Sequence, residues 1–522
     1  METKLIPPNL HPTGEPEIFS EALRIQAALA VETFAGRVHV EWDPQAAVTP
    51  LGQLPFFIEF LKTAELFTPW VAECPLERSS PNAPANVDLL GTLLLSVLAG
   101  QRRYSHITAI RADGVNPDLL GMSRVLSEDA VRRAFMSAEE TDCVRWLQNH
   151  LQLCYGPLLH EPWILDVDTT VKPLYGHQEG AVVGFNPHKP GRPSHTYHTY
   201  FVANLRLVLD VEVRPGNQSA ALYSRPGLWA LLERLGPNAR PAFIRGDCAW
   251  GNEGVMREAE EQGYDYLFKL KQSAGVRRLI EHAFAREDWS DAGQGWQGVE
   301  DQLRLAGWTR ARRVIVLRRP VKADLALQPK GERDQMELAF METLKPGQVY
   351  EYAVLVSSLS DAVLTLAQHY RDRGDAENNF DEMKNQWGWG GYTTQDLKRC
   401  AIMARVVALI YNWWSLFVRL AIPERHAEAI TSRPLLLHAI ARLTRHAGQS
   451  LLSVTSTHGK VKEIKRLLEG VNTVLGQLRQ AAEQLSRPER WRWLLSVIFR
   501  NFLHGRLLKA PPLLESSAGT TG

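Results

Sequence analysis

The feature that most constrains the fold is a change of periodicity near residue 163, where helical patterns give way to short alternating runs. The segment WILDVDTT starts at Trp163, alternates as a strand does, and carries Asp166 and Asp168 on one face. The runs that follow, up to residue 271, predict two strands, a helix, a strand, a helix and a strand. This order predicts an α/β fold with a mixed five-stranded sheet.

The remaining core elements are short and are separated by turn residues. Strands are predicted at 196–203, 205–213, 242–245 and 264–270, and helices at 220–235 and 253–262. Asp247 stands at the C-terminal end of the strand at 242–245. We expect that strand to neighbour the one bearing Asp168, which would bring the two aspartates together.

A polar stripe marks the segment from 370 to 384, YRDRGDAENNFDEMK. On a helix, Tyr370, Arg373, Glu377 and Lys384 fall within an arc of roughly 60°. A helix that merely packed would place aliphatic residues on that arc. The stripe is either a solvated face with ion pairs or a carboxylate flanked by phosphate-binding cations. Asp381 is the only other acid that competes for this face.

Three acids that converge in space suit phosphodiester chemistry. Two Mg²⁺ ions about 4 Å apart can activate a nucleophile and stabilise a leaving oxygen, and such hard cations bind carboxylate oxygens. Asp168, Asp247 and Glu377 are therefore predicted to be catalytic metal ligands. Each has a simpler interpretation, since Asp168 could cap a turn and Asp247 could form one. Asp166, on the same strand face, is the alternative for the first acid.

The chain resembles a bacterial insertion-sequence transposase of the DDE type, in the branch marked by Tyr-x2-Arg-x3-Glu-x6-Lys. Tyr370, Arg373, Glu377 and Lys384 match that signature at every spacing. The branch is the insertion sequence four superfamily. Within it, YGHQEGAVVGFNPHKPGRPSHTYH, RPGN and RGDCAW resemble the thirteen-eighty group. The similarity covers about residues 85–415.

The resemblance implies an RNase H-like catalytic core, interrupted by a β-rich insertion before the catalytic glutamate and flanked by helical N- and C-terminal regions. Members bind terminal inverted repeats, cleave at the element ends and join the 3′ ends to target DNA, several through a hairpin. It implies two bound Mg²⁺ ions, replaceable by Mn²⁺, and double-stranded DNA and a homodimer on DNA as partners. The matching positions are Asp168, Asp247 and Glu377 for catalysis and metal, and Tyr370, Arg373 and Lys384 for DNA.

The chain of 522 residues is long enough for several domains. The start up to residue 36 is proline-rich and is expected to be loosely attached or disordered. The predicted division is a helical N-terminal region at 1–160 for DNA end binding, a catalytic core at 161–271 and 351–395, a β-containing insertion at 272–350, a helical C-terminal region at 396–510 for DNA binding or dimerisation, and a disordered tail at 511–522.

The composition, 45% hydrophobic and 22% charged, is that of a soluble globular protein. Net charge is only +1, but basic residues outnumber acidic ones in 421–510, which favours a polyanionic partner there. Five scattered cysteines without a CxxC pair indicate neither a disulfide framework nor a zinc site. The start has no signal-peptide pattern, and the apolar run at 89–99 is too short to span a bilayer. We expect a bacterial cytoplasmic, nucleoid-associated protein without a membrane partner.

Two alternatives to an active transposase stay open. One is a transposase-derived DNA-binding protein without catalysis, and the other is an RNase H-like nuclease without strand transfer. Histidines of the loop at 188–198 have irregular spacing, so a structural or DNA-backbone role is expected rather than zinc binding. Five tryptophans could stack on a displaced base, although a core position is more typical. They are Trp250, Trp296, Trp308, Trp387 and Trp389.

Overall fold

The computed structural model describes residues 28–43, 45–77, 80, 82–186, 189–321, 342–345 and 348–509. Most of the proline-rich start, part of the predicted insertion at 272–350 and the tail predicted to be disordered at 511–522 lie outside these residues.

Strands and helices alternate along the described chain. The strands are β1 Leu29–Thr33, β2 Gly36–Val40, β3 Val48–Thr49, β4 Ile164–Pro173, β5 Val182–Val183, β6 Pro193–Val202, β7 Leu207–Pro215, β8 Phe243–Gly246, β9 Tyr266–Lys269, β10 Ser290–Gly293, β11 Trp296–Leu303, β12 Arg312–Val321, β13 Glu342–Lys345, β14 Gln348–Ser357, β15 Ala441–His446 and β16 Gln449–Val454. The helices are α1 Leu54–Thr63, α2 Phe67–Ala72, α3 Asn86–Leu98, α4 Ile107–Ile110, α5 Asn116–Leu119, α6 Glu128–Arg133, α7 Glu140–Tyr155, α8 Ala221–Leu235, α9 Glu253–Glu261, α10 Ala274–Phe284, α11 Val363–Arg371, α12 Arg373–Gln386, α13 Leu397–Ala421, α14 Ala429–Leu436, α15 Val461–Gln480 and α16 Arg487–Ile498.

The centre of the molecule is an 11-stranded mixed sheet in the order β10-β11-β12-β14-β9-β8-β4-β6-β5, with β13 also paired to β14 and β7 to β6. β4, β8 and β9 run parallel to one another, whereas β6 and β7 are antiparallel to their neighbours. The prediction of a mixed α/β fold is confirmed.

The predicted core strands correspond to β4, β6, β7, β8 and β9, which lie in the spatial order β7-β6-β4-β8-β9. The sheet is larger than five strands because β14 pairs antiparallel with β9, aligning Leu355 with Lys269, and carries β10–β13 with it. Strands from the segment predicted as an insertion therefore extend the same sheet. The domain bounds themselves stay a prediction.

The expectation that 396–510 is entirely helical is wrong between Ala441 and Val454, where β15 and β16 form a hairpin. Its two-residue loop is Ala447-Gly448, and both residues have positive φ, 48° and 77°. That backbone matches the twist of paired strands. The largely helical N-terminal prediction likewise missed the hairpin β1–β2 and the short strand β3, which pairs with β15.

Helix α13 anchors the sheet to the surrounding helices. It packs on β7 and α7, and its Asn412 both donates to and accepts from the backbone of Val208 at 2.8 Å. Arg405 pairs with buried Asp210 of β7 at 2.8 Å. By length and composition α13 could cross a membrane, but its most apolar stretch is wholly buried inside the protein. It occupies the position of a core helix.

Candidate active site

The parallel pairing of β4 with β8 sets the first two acids side by side. The register aligns Val167 with Gly246, so Asp168 and Asp247 are the next residues on their two strands. Neighbouring strands lie about 4.8 Å apart. After β8 ends, the Asp247 carboxylate accepts a hydrogen bond from the Ala249 amide at 2.9 Å, which starts a turn. Both aspartates therefore stand at the same edge of the parallel strands.

Asp166, two residues before Asp168, is occupied elsewhere. It is 1% exposed and forms a bidentate ion pair with Arg245 of β8, with contacts of 2.6 and 2.9 Å. Arg245 also donates to the carbonyl of His369, near the end of α11. This buried pair ties α11 to the sheet and leaves Asp168 as the acid of β4 that faces the site.

The segment at 370–384, predicted as one helix, is two. Helix α11 ends at Arg371, α12 begins at Arg373, and Asp372 lies between them in a turn. Gly374 lowers the helical preference at the start of α12. The interruption is limited to Asp372, which keeps helical dihedrals (φ −63°, ψ −11°) and donates its amide to the Gln368 carbonyl at 2.9 Å, and it lies beside the contact of Arg245 with α11.

Helix α12 is held against the sheet by its other face. Phe380 packs on Phe201 of β6, with ring centroids 5.7 Å apart. Buried Glu382 accepts hydrogen bonds from the Trp387 indole at 3.1 Å and the Ala429 amide at 3.0 Å. Glu377 lies on the open side of the helix, where its side chain is 65% exposed.

Arg373 joins the first and third acids. Its guanidinium is buried and donates to Asp168 Oδ1 at 3.1 Å and to Glu377 Oε1 at 2.5 Å. Asp247 has no ion pair among the described residues. The site thus brings three carboxylates to one guanidinium that contacts two of them.

The electrostatics of the site agree with this crowding. Burial raises the pKa of Asp168 to about 6; Arg373 opposes the rise, and the charges of Asp247 and Glu377 add to it. Burial works against the charge on Arg373, yet Asp168 and its other anionic neighbours raise the Arg373 pKa above its ordinary value. The three carboxylates therefore belong to one charged site.

The two other signature residues lie nearby without touching the acids. Tyr370 is half-buried against a small apolar cluster that includes Phe243, and burial, with help from Asp247 and Glu377, raises its pKa. Lys384 lies in the last turn of α12 and makes no ion pair within the described part of the chain. The structure thus brings Tyr370 beside the carboxylates and leaves Lys384 apart from them.

The aromatic and histidine candidates have structural surroundings. Four of the five tryptophans are buried, and Trp296 is half-buried under the guanidinium of Arg319, 4.8 Å from its ring. His195 and His198 are buried and bond to the backbone carbonyls of Glu179 and Gln218.

The donor chemistry of the site fits a divalent ion, because carboxylate oxygens are the ligands that Mg²⁺ prefers. Within the described ranges, however, no three His, Cys, Asp or Glu side chains are grouped closely enough to hold a metal. The reason is visible at Arg373, whose guanidinium stands between Asp168 and Glu377. Asp168 and Asp247 could hold an ion here, and Glu377 would join them only after Arg373 withdraws.

The sequence analysis missed Arg245, which fixes α11 and occupies Asp166. The sequence contains a signal for this ion pair. If two parallel strands place Asp168 beside Asp247, they also place Asp166 beside Arg245, as the register shows. An arginine there predicts an ion pair.

Comparisons with known proteins identify the family. The family model described as Transposase DDE domain group 1 matches residues 81–475. No curated protein matches the chain. A solved cryo-EM structure of the piggyBac transposase synaptic complex with hairpin DNA aligns with 91% of this chain and 88% of that one, at 10% identity and a TM-score of 0.35, which is too low to support an argument. Because the family model covers well over half of its length, the chain belongs to the transposase DDE domain group 1 family.

Proposed function

We propose that the protein is a metal-dependent DNA transposase that binds the terminal inverted repeats of an insertion sequence, cleaves at the element ends and joins the 3′ ends to target DNA. The observation that carries this proposal is the cluster of Asp168, Asp247 and Glu377 around Arg373, inside a chain of the DDE family. The spacing of Tyr370, Arg373, Glu377 and Lys384 supports the insertion sequence four branch, and its thirteen-eighty group.

An RNase H-like core is part of the proposal. The strand order β7-β6-β4-β8-β9, with three antiparallel strands followed by two parallel additions, supports it. So does the placement of Asp168 on β4 beside Asp247, which follows the neighbouring β8, and of the third acid on helix α12. The remaining regions would bind DNA ends or a second copy of the chain.

In this proposal Asp168 and Asp247 would hold divalent ions, Mg²⁺ or Mn²⁺, and Glu377 would complete the ligand set. When bound, such ions supply charge stabilisation at phosphorus and an activated nucleophile. Arg373 neutralises the acids in the free protein and transfers its donors to a DNA phosphate when the substrate arrives. Guanidinium groups suit this exchange because they bind carboxylate and phosphate with the same paired geometry. Tyr370 and Lys384 would grip the neighbouring phosphates.

The partners that follow are double-stranded DNA, both element ends and target, and a second copy of the chain on DNA. Two ends must be processed together, which favours a homodimer in the complex. The second strand could be cut through a hairpin at the element end. The expected setting is the cytoplasm of a bacterium, associated with the nucleoid.

The test uses a plasmid that carries the coding sequence with its native flanking DNA. Purified protein and Mg²⁺ should nick and excise that segment, and EDTA or Asp247→Asn should abolish the reaction. Asp361→Asn, an exposed aspartate after β14, is the matched control and should leave it intact. Unchanged nicking by Asp247→Asn would contradict the assigned role.

A transposase-derived DNA-binding protein without catalysis is the second candidate. It is favoured by Arg373, whose ion pairs fill the space between Asp168 and Glu377 and leave no three-ligand group in the described residues. DNA binding without any metal-dependent nicking would establish it. Nicking without joining of pre-cut ends would instead indicate a nuclease with the same core.

A further inference from the structure

The loop that follows α12 brings three distant segments together. A Cβ at Gly391 would lie 2.0 Å from the carbonyl oxygen of Arg102, and a Cβ at Gly390 would lie 3.0 Å from Cγ of Lys172. Larger residues would not permit this approach. The loop begins directly after the helix that carries Lys384. The glycines therefore seat Arg102 and Lys172 beside the end of α12.

Lys172 lies on the same strand and the same face as Asp168. The two residues are four positions apart on β4, and alternate residues of a strand share a face. At 3.3 Å per residue the separation is about 13 Å. Since this is several times the 3.4 Å rise per nucleotide of one B-DNA strand, the two residues can contact different phosphates of that strand.

Beyond Lys172 the β4–β6 connection presents more positive charge. Tyr175 is 68% exposed, and both Lys189 and Arg192 lie over its ring, 5.2 and 4.7 Å from the centroid. Lys189 also bonds to the Tyr175 hydroxyl. The cations thus continue from the candidate active site out along this connection.

Six cations form this surface, which we call the basic ridge. They are Arg102, Arg103, Lys172, Lys189, Arg192 and Lys384. In the part of the chain that the structure describes, none of the six makes an ion pair. Burial lowers the pKa of Lys172, and the positive charges of Arg103, Lys384 and Arg102 lower it further. The nearby acid Glu179 turns its carboxylate to the Leu397 amide instead, at 3.0 Å.

Elsewhere in the protein several arginines have acidic partners, as Arg312, Arg373 and Arg405 do, whereas the cations of the ridge adjoin one another. Mutual repulsion of like charges is unfavourable unless an anion neutralises them. A polymer with regularly spaced phosphates, such as DNA, can neutralise these positive charges over the whole length of the ridge.

We propose that the basic ridge binds the phosphate backbone of DNA that leads away from the reacting phosphodiester, with Lys172 contacting a different phosphate from the one at the carboxylates. The inference deepens the proposed transposase function and rests on it. It adds Arg102, Arg103, Lys172, Lys189 and Arg192 to the DNA-binding residues.

The test measures how binding depends on salt. The labelled probe is a duplex of mixed sequence, and its affinity is measured by fluorescence anisotropy in EDTA over a range of salt concentrations. Each phosphate contact contributes about 0.9 to the slope of log affinity against log salt. The triple variant Arg103→Gln, Lys172→Gln, Arg192→Gln should therefore reduce the slope by about 2.7.

Two controls isolate charge at the ridge from general effects. Arg278→Gln removes an exposed cation of α10, away from the ridge, and should leave the slope unchanged. Lys172→Arg keeps the charge and should keep the slope, which separates loss of charge from loss of fold. An unchanged slope in the triple variant would overturn the inference.

Because the assay contains no metal, its outcome is separate from that of the nicking test. If the unaltered protein nicks DNA but the triple variant shows an unchanged salt dependence of binding, only the ridge proposal is refuted. If the triple variant shows the reduced salt dependence but the unaltered protein never nicks DNA, only the catalytic proposal is refuted.

Discussion

Two buried arginines each bridge two carboxylates, in surroundings that differ in their charge balance. Arg312 contacts Glu253 at 2.5 Å and Glu260 at 2.8 Å, and Arg310 adds a second cation to Glu260 at 2.9 Å. Two cations there face two acids. Burial works against ionised Glu260, but hydrogen bonds from Arg312 and Arg310 lower its pKa to about 2.

Arg373 bridges Asp168 and Glu377 in a similar way, but Asp247 adds a third acid. Here the pKa of the bridged aspartate is raised, to about 6, rather than lowered. Burial is the largest cause of the rise at Asp168, where one guanidinium opposes it and the charges of Asp247 and Glu377 add to it, whereas two arginines outweigh burial at Glu260. The unbalanced cluster can accept further positive charge, which is what a metal site requires.

The largest effect on activity is expected from removing Glu377, the exposed acid of the cluster around Arg373. Glu377→Ala should lower metal-dependent nicking on the order of 10⁴-fold, as loss of a catalytic residue commonly does, while DNA affinity stays nearly the same. Asp381→Ala is the matched control on the same helix, since the Asp381 carboxylate accepts a hydrogen bond from Asn385 at 2.6 Å and forms no ion pair among the described residues. Nicking rates on native flanking DNA measure both, and equal rates for the two variants would contradict the assignment of Glu377.

The next prediction compares how substitution of Arg312 and of Arg373 changes the free energy of unfolding. Arg312→Met should destabilise the fold by about 2–3 kcal/mol, because it removes the charge-assisted hydrogen bonds of a buried guanidinium to the half-buried Glu253 and Glu260. That loss should be the same in Mg²⁺ and in EDTA. Arg373→Met should lose less stability in Mg²⁺, because an ion can replace the missing charge among Asp168, Asp247 and Glu377. Urea unfolding measures the four values, and an identical Arg373→Met loss in both buffers would contradict the difference between the clusters.

The smallest expected effect is on how the stability of the fold changes with pH, because Glu260 and Asp168 should change it in opposite directions. Stability from Glu260 is fully present above its ordinary pKa of 4.5 and is lost as pH falls toward about 2. Asp168 acts in the opposite sense, since its raised pKa makes stability fall as pH rises from 3.8 toward about 6. In EDTA, Asp168→Asn should remove that fall in a series of urea unfolding curves. A curve that keeps the fall would show that Asp168 is not its source.

The sequence predicts the strands that carry the acids, and the reason is local. Alternating polarity marks β4, which carries Asp168, and Asp247 directly follows the short strand β8. Long-range contacts decide the rest. The break at Asp372 accompanies the reach of Arg245 to α11, and the pairing of β14 with β9 joins segments about 90 residues apart. The hairpin at Ala447-Gly448 lacks the usual Asn-Gly signal.

The site around Arg373 holds three carboxylates and one guanidinium, and in the proposed function it binds a divalent ion. Titration of the free protein with Mn²⁺ in a calorimeter tests it without any DNA. We expect saturable binding that is lost in Asp168→Asn and Asp247→Asn and unchanged in Asp381→Asn. Equal Mn²⁺ affinity in all three variants and the unaltered chain, or no binding to any of them, would contradict the claim.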